Sequence, residues 1–544
     1  MNLMTSTMHL YIPPSRHHHI LYTATVLATL LTPAHPDPSR IGQWAVGPST
    51  GVVGIHTALL PDNHLLFFER FHGLHYPSLY PPNPNTYSSN ISQSEISTEM
   101  TFNPENPLTS GYVVEHETYS PFCAGHAQMA DGRIFVAGGD GDGVGNGYIT
   151  DGRKAVRTYA SATGWVDIGE LSTTRWYPTV ATLPDGRLLI VGGLSESYIP
   201  DDPNRNNPTY ELYPPDGRGT VPLEVLLPGY PNNSYPIVMV LPSQRVFIFS
   251  SINSMSININ SWDNIITYPP LSKTDIYPSR SFPYLSPSVL LPLRKANKYR
   301  AEIMICGGTY INNTASNLCS RIIPDLGEEA KWVDDEMPGG RVMGDGVLLP
   351  DGNVVFVGGA QEGTADGPAG FSKATNPQYA AHLYNPRTRQ WSVLASATIP
   401  RLYHSSALLL PDCRVLTAGS DQQNYANPSL EPFEYRIELF SPPYLFAASR
   451  PMITAMPSTI SYNSTFQIHT PTSNIEMVSF IRYSTVTHST NMDQRFVELE
   501  FVQTGKGIVE GTSPLDGSLA PPGNWMVFLV KDGVPSVGET VLLH

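Results

Sequence analysis

Leu183-Pro184-Asp185-Gly186-Arg187-Leu188-Leu189-Ile190-Val191-Gly192-Gly193 is a turn followed by an apolar strand that ends in two glycines. With the apolar run from Thr179 before it, the stretch reads as a tight hairpin. Asp-Gly supplies the positive φ values that a short hairpin turn needs. Its strands are apolar at consecutive positions, which suits a hairpin covered on both faces. The same unit recurs at Thr57 to Glu69, Ala127 to Gly139, Ile237 to Ser250, Ser288 to Gly308, Gly346 to Gly359 and Ser406 to Ser420, seven copies in all. The fifth copy is stretched by a basic insertion, Arg294 to Arg300, expected to be a solvated loop.

A second signature precedes four of the turns. Trp44, Trp165, Trp332 and Trp391 stand 18, 20, 19 and 21 residues before Asp62, Asp185, Asp351 and Asp412. Each unit therefore has four strands, with a tryptophan on the outer one. Units of about 50 residues with four strands, Gly-Gly ends and a tryptophan describe a kelch-like β-propeller, here of seven blades. The last unit lacks a tryptophan strand and the chain has a spare one at its start, around Trp44. That strand is expected to be the outermost strand of the seventh blade. After Ser441-Pro442-Pro443-Tyr444 the strands shorten and lose their Gly-Gly ends, the texture of a β-sandwich. The expected division is a leader over 1–34, the propeller over 35–445 and the sandwich over 446–544.

The chain has 544 residues, a net charge of −15 and no basic patch, which argues against a nucleic-acid partner. Arg16 followed by the apolar run Ile20 to Leu31 and Thr32-Pro33-Ala34 reads as a secretory signal peptide, so a secreted, extracellular protein with no later membrane span is expected. In that setting Cys306 and Cys319 are candidates for a disulfide, and the sequons at Asn90, Asn232, Asn312 and Asn463 are candidate glycan sites.

Counting back from the turn aspartates gives the chemistry. Cys123, Tyr177 and His404 each stand eight residues before their aspartate (Asp131, Asp185, Asp412), with Tyr403 beside His404. Equivalent positions in a propeller are related by rotation, so these residues face the mouth of one central channel. Gly54 and Met343 hold the slot in other blades, so the fold does not impose these residue types. Two phenols, an imidazole and a thiol suit a redox metal, and copper(II) favours mixed N,O ligation. One further nitrogen is expected, and His488, in the polar stretch Thr487-His488-Ser489, offers it. His126 is expected to be structural. Trp176, in an extended segment, is expected to point away from Tyr177. Cys413, in the glycine position of its turn, reads as a buried small residue or a free thiol.

Phe122-Cys123-Ala124-Gly125-His126, Arg175-Trp176-Tyr177-Pro178-Thr179, Pro400-Arg401-Leu402-Tyr403-His404-Ser405 and Thr487-His488-Ser489 with Asn491-Met492-Asp493-Gln494-Arg495 together resemble the glyoxal oxidases of the copper radical oxidase family, relatives of galactose oxidase. The resemblance covers about Trp44 to His544. It implies an immunoglobulin-like form for the sandwich and one copper ion held by Tyr177, Tyr403, His404 and His488. It also implies a thioether between Tyr177 and Cys123 that holds a radical, with Tyr403 as the base. The implied reaction oxidises an aldehyde hydrate or a primary alcohol and reduces O2 to hydrogen peroxide, for which extracellular peroxidases would be natural consumers. A galactose oxidase-like alcohol oxidase is the nearest alternative. A non-catalytic kelch-type binding propeller, using loops such as Phe71 to Pro77, is the alternative of a different class.

Overall fold

The computed structural model describes residues 37–70, 96–141, 149–196, 202–271, 279–310, 312–365, 373–421, 433–447, 449–505 and 507–544. The leader and the Phe71 to Pro77 loop lie outside them. Pro38–His544 is one compact unit. Among the described residues no helix is long and apolar enough to cross a membrane.

The seven hairpins belong to seven antiparallel blades, six of them four-stranded sheets and the first a four-stranded blade extended to six strands. Blade three, for example, orders Thr179–Thr182, Leu188–Val191, Thr209–Tyr213 and Val221–Pro222 from the axis outward. The seventh blade is closed by Gln43–Ser49, whose Trp44 sits opposite Phe440 in the neighbouring strand. The start of the described chain thus ties the ring shut, as the spare tryptophan strand predicts. The outer tryptophans also join blades. The Trp44, Trp165 and Trp332 indoles donate to Ala395 O (2.8 Å), Ser97 Oγ (2.9 Å) and Pro269 O (2.9 Å), each in or beside the preceding blade.

The turns close differently from the expectation. In the Asp-Gly turns only the glycine is left-handed (Gly132 φ 87°, Gly186 φ 85°, Gly352 φ 80°). The aspartate instead accepts the N–H two residues on, as Asp185 does from Arg187 at 3.1 Å, so its side chain replaces a second strained residue. Cys413 holds the glycine position at φ 77° as a buried free thiol.

The Gly-Gly ends have a specific partner. The buried guanidinium of Arg175 donates to Gly192 O and that of Arg341 to Gly358 O, both at 2.7 Å, and Arg401 donates to Gly419 O. Each arginine precedes the channel-facing slot of its own blade by two or three residues. The left-handed glycine (the first of a pair in the blades of Arg175 and Arg341, Gly419 alone before Ser420) exposes the carbonyl that clamps the segment leading into the inner strand.

Residues from Arg450 onward form the C-terminal sandwich. Phe496–Thr504 belongs to both layers: its first half pairs with Met477–Arg482 and its second with Ile508–Thr512. Trp525 stacks on Phe480 at its centre, with centroids 4.3 Å apart. This domain caps the turn side of the propeller. The Arg294 to Arg300 insertion is mostly exposed, as expected, but its first residues tie it to that joint: Arg294 pairs with Glu498 at 2.6 Å and donates to Gly352 O at 3.0 Å, and Lys295 pairs with Glu500. Cys306 and Cys319 sit directly opposite on adjacent strands of blade five and form a disulfide.

His382, buried in blade six, accepts from Arg341 Nη2 at 3.1 Å. Burial first, then the Arg341 charge, lower its pKa from the usual 6.5 to about 3. Between these values the unfolded chain binds a proton that the native imidazole refuses, so stability falls as pH drops through that window. Urea midpoints between pH 7 and 4 should therefore decline, and His382→Gln should make the decline shallower. An unchanged slope would remove His382 from the cause.

Candidate metal centre

The slot that sequence spacing picks out is a conformation. Cys123, Tyr177 and His404 have φ of 57°, 62° and 62°, and Tyr235 and Met343 hold the same position in blades four and six at 47° and 60°. A left-handed backbone costs a residue with a Cβ about 1–2 kcal/mol. It turns the chain abruptly into the innermost strand. Adjacent blades share the load: Tyr177 N donates to Cys123 O at 2.9 Å and Tyr235 N to Tyr177 O at 3.0 Å. Gly125, below Cys123, lets blades two and three close up, since a Cβ there would lie 2.7 Å from Pro178 O.

His488 arrives from the other domain. Thr485–Thr487 pairs with His56–Leu60, the innermost strand of blade one, and Thr490–Asn491 pairs back on it, so a sandwich hairpin widens blade one inside the channel. Lower in the channel this hairpin is anchored by Asp493, which takes Gln128 N at 2.6 Å and Arg482 Nε at 2.9 Å. Arg482, Asp493 and Arg495 line a cavity of about 30 Å³, beneath the predicted site rather than at it.

The five predicted residues meet at the tip of this hairpin. The donor atoms of Cys123, His404 and His488 all lie within 4.8 Å of one another, with Cys123 Sγ 3.5 Å from His488 Nε2. The Tyr177 and Tyr403 hydroxyls are 3.2 Å apart. The rings of Tyr403 and His404 stack at 3.6 Å, and the two histidine rings stand edge to face at 4.7 Å.

Each imidazole is oriented through its far nitrogen. His488 Nδ1 is held by Thr487 Oγ1 at 2.5 Å. His404 Nδ1 hydrogen-bonds the buried carboxylate of Asp421, with Arg70 Nη2 3.0 Å from the same nitrogen, and Nε2 has no partner among the described residues. Arg70 pairs with Asp421 at 2.6 Å and covers Phe122 at 4.6 Å. A carboxylate behind a ligating histidine fixes its tautomer and raises its basicity.

Burial sets the charge state. Desolvation raises the Tyr177 phenol well above its usual range, with Cys123 and Tyr403 adding to it. Desolvation likewise raises the Cys123 thiol and lowers His404 and His488, so both imidazoles are neutral. Two neutral nitrogens and two phenol oxygens are a fitting donor set for a borderline divalent metal such as copper, whose charge favours ionised phenols.

Trp176 lies against Tyr177, with centroids 4.5 Å apart, and does not point away from it. The expectation assumed an extended segment, and the left-handed Tyr177 breaks the alternation. Phe282 stacks on the Tyr177 ring at 4.5 Å and 24°, and Tyr235 meets that ring edge-on at 5.1 Å. His126 is buried outside the donor cluster, and burial lowers its pKa to about 3. Phe282, Tyr235, Asp421, Arg70 and His56 were not legible as site residues. Only Tyr235 had a signal: it stands eight residues before Ser243 of its turn, the same offset as the others.

Residues 55–444 match the family described as glyoxal oxidase N-terminus, and residues 450–543 match the galactose oxidase-like Early set domain. The chain belongs to the glyoxal oxidase family. It is 31% identical to aldehyde oxidase GLOX of Vitis pseudoreticulata, over 92% of this chain and 97% of that one. It is 29% identical to aldehyde oxidase GLOX1 of Arabidopsis thaliana, over 93% and 85%. Galactose oxidase of Gibberella zeae is 24% identical over 82% of this chain and 64% of its own length. Among solved structures, a fungal alcohol oxidase of the AA5 family in complex with copper shares the fold, with a TM-score of 0.72 and 21% identity over 92% of this chain and 99% of that one. This glyoxal oxidase family member is accordingly an oxidase, built as a seven-bladed propeller with a C-terminal sandwich.

Asp421→Asn in this glyoxal oxidase family member removes the carboxylate that takes the His404 proton. Copper affinity, measured by chelator competition, should fall about 10–100-fold. Wild-type affinity in a folded variant would deny Asp421 that role.

Proposed function

We propose that the chain is a secreted copper radical oxidase that converts aldehydes of the glyoxal or methylglyoxal type, as their hydrates, to carboxylic acids. The observation that carries this reading is the buried convergence of Tyr177, Tyr403, His404 and His488 with Cys123 on the channel axis. Tyr177, Tyr403, His404 and His488 would hold the copper. When bound, copper supplies a one-electron acceptor and a positive charge that lowers the pKa of phenols and of a substrate hydroxyl.

The remaining roles belong to the chain. Cys123 Sγ bonds to the Tyr177 ring, with loss of the S–H and one ring C–H. The two protons and two electrons pass to O2, giving hydrogen peroxide. After giving up one further electron, with O2 as the acceptor, the linked phenolate would hold the radical that takes a hydrogen atom from the substrate carbon. Phe282 and Trp176 cover that ring and limit its contact with water. Tyr403, whose hydroxyl faces that of Tyr177, takes the substrate hydroxyl proton. The overall balance is one aldehyde hydrate and one O2 giving one carboxylic acid and one hydrogen peroxide.

Export is supported by the disulfide Cys306–Cys319, a bond that persists in oxidising compartments. Asn312 and Asn463 lie exposed and are the sequons best placed for glycans. Extracellular peroxidases would consume the product.

Copper treatment in air should join the Cys123 and Tyr177 peptides with loss of two hydrogens, and Tyr177→Phe should abolish both the join and peroxide formation. Separate peptides in copper-loaded wild-type protein would sink the radical-oxidase reading. A substrate panel with a peroxide readout then ranks aldehydes against primary alcohols.

A further inference from the structure

The N–H of Cys123 is held by a side chain, unlike those of three other slot residues. In blades three and four the slot N–H donates to the slot carbonyl of the blade before, Tyr177 to Cys123 and Tyr235 to Tyr177, and in blade six Met343 N donates to Leu285 O at 2.8 Å. For Cys123 the equivalent carbonyl belongs to Gly54. That oxygen accepts from Ser406 Oγ at 2.8 Å instead. Cys123 N donates to a side chain, His56 Nε2, at 3.1 Å.

His56 is fixed in turn. It is fully buried, its ring lies flat on Phe68 with centroids 4.3 Å apart and planes 9° apart, and its backbone pairs with Thr487, the residue before His488. Because a backbone N–H points at Nε2, the imidazole is the neutral tautomer with its proton on Nδ1. The peptide groups on both sides of Cys123 are thus held, by His56 at its nitrogen and by Tyr177 N at its carbonyl.

We infer that His56 is the positioning residue that holds Cys123 in its left-handed conformation and so presents Sγ to the Tyr177 ring for thioether formation. The inference rests on the thioether reading above. A non-glycine residue relaxes readily from this conformation toward the extended region, and rotation of the Cys123 backbone would swing Sγ away from Tyr177. The acceptor on His56 makes that rotation leave a buried N–H unpaired. The chemistry is unchanged: one C–S bond forms, one S–H and one ring C–H bond break, and O2 takes the two electrons and two protons.

Copper-free wild type, His56→Phe and His56→Gln are exposed to copper(II) in air. The joined Cys123–Tyr177 peptide is followed over time by mass spectrometry, with bound copper measured by elemental analysis. Phe keeps the flat ring on Phe68 without an acceptor, and Gln returns an acceptor oxygen near the position of Nε2. His56→Phe should bind copper at wild-type stoichiometry but join its peptides about tenfold more slowly, and His56→Gln should recover most of the rate. Joining by His56→Phe at the wild-type rate overturns the inference. Equal slowing in both variants also overturns it, because packing rather than the acceptor would then be the cause. Failure of wild type to join at all removes the thioether reading itself. Should His56→Phe lose its cooperative melt, a crystal structure of the copper-free wild-type protein decides: a Cys123 nitrogen beyond hydrogen-bond reach of His56 overturns the inference.

Discussion

The hydrogen bonds between His56–Ala58 and Thr485–Thr487 decide where this centre can exist. A propeller offers a channel, but its walls alone supply only one of the two nitrogen donors described here, His404. The second comes from a hairpin of the sandwich that adds itself to blade one from inside. Strand pairing has a period of two, so a one-residue slip would turn His488 to the other face. Register is fixed further down, where Asp493 takes Gln128 N and Arg482, and where Thr485 Oγ1 donates to His126 O at 3.0 Å. The polar residues deep in the channel therefore act on the centre by fixing the height and rotation of a single imidazole.

The propeller side is built by repetition of strain. Five blades place a non-glycine residue in the left-handed region at the same point. Such strain persists only where the surroundings over-determine it. Here the surroundings are the Arg-to-glycine-carbonyl clamps before the slot and the hydrogen bonds that pass from one blade to the next. Met343 has the same backbone but an apolar side chain. The conformation is thus a property of the fold, and the chemistry is a property of which side chains occupy it.

This explains what could be read from the sequence. Hairpins, Gly-Gly ends and outer tryptophans are local and periodic, so the blade number and the closure by Trp44 were legible. Cys123, Tyr177 and His404 were legible because rotational symmetry converts equal spacing into proximity. His488 required only the recognition of a polar loop without apolar neighbours. Phe282 and Asp421 were not, since each is brought in by a connection whose path depends on packing between blades. Asp421 lies 17 residues after His404, across a full hairpin, and nothing in its neighbourhood distinguishes it from the other surface-type acids. Trp176 was misplaced for one reason: extended alternation was assumed across a residue that is left-handed.

Burial gives the centre its selectivity for a cation. In the metal-free state the Tyr177 phenol is pushed toward neutrality and the imidazoles are denied protons. The nearest charges, Arg70 and Asp421, cancel each other behind His404. An anion would find no partner among the donors, and a proton is excluded by desolvation. A cation alone gains, because its charge lets the Tyr177 phenol ionise that burial otherwise holds neutral, and the ionised oxygen then binds it more strongly. The low-dielectric packing around Tyr177 that makes ionisation costly without metal is what makes it strongly coupled to metal. Phe282, Trp176 and Tyr235 around that ring thus serve two ends at once. They keep water from the phenol, and they ensure that its oxidation-ready, ionised form exists only when the cation is in place.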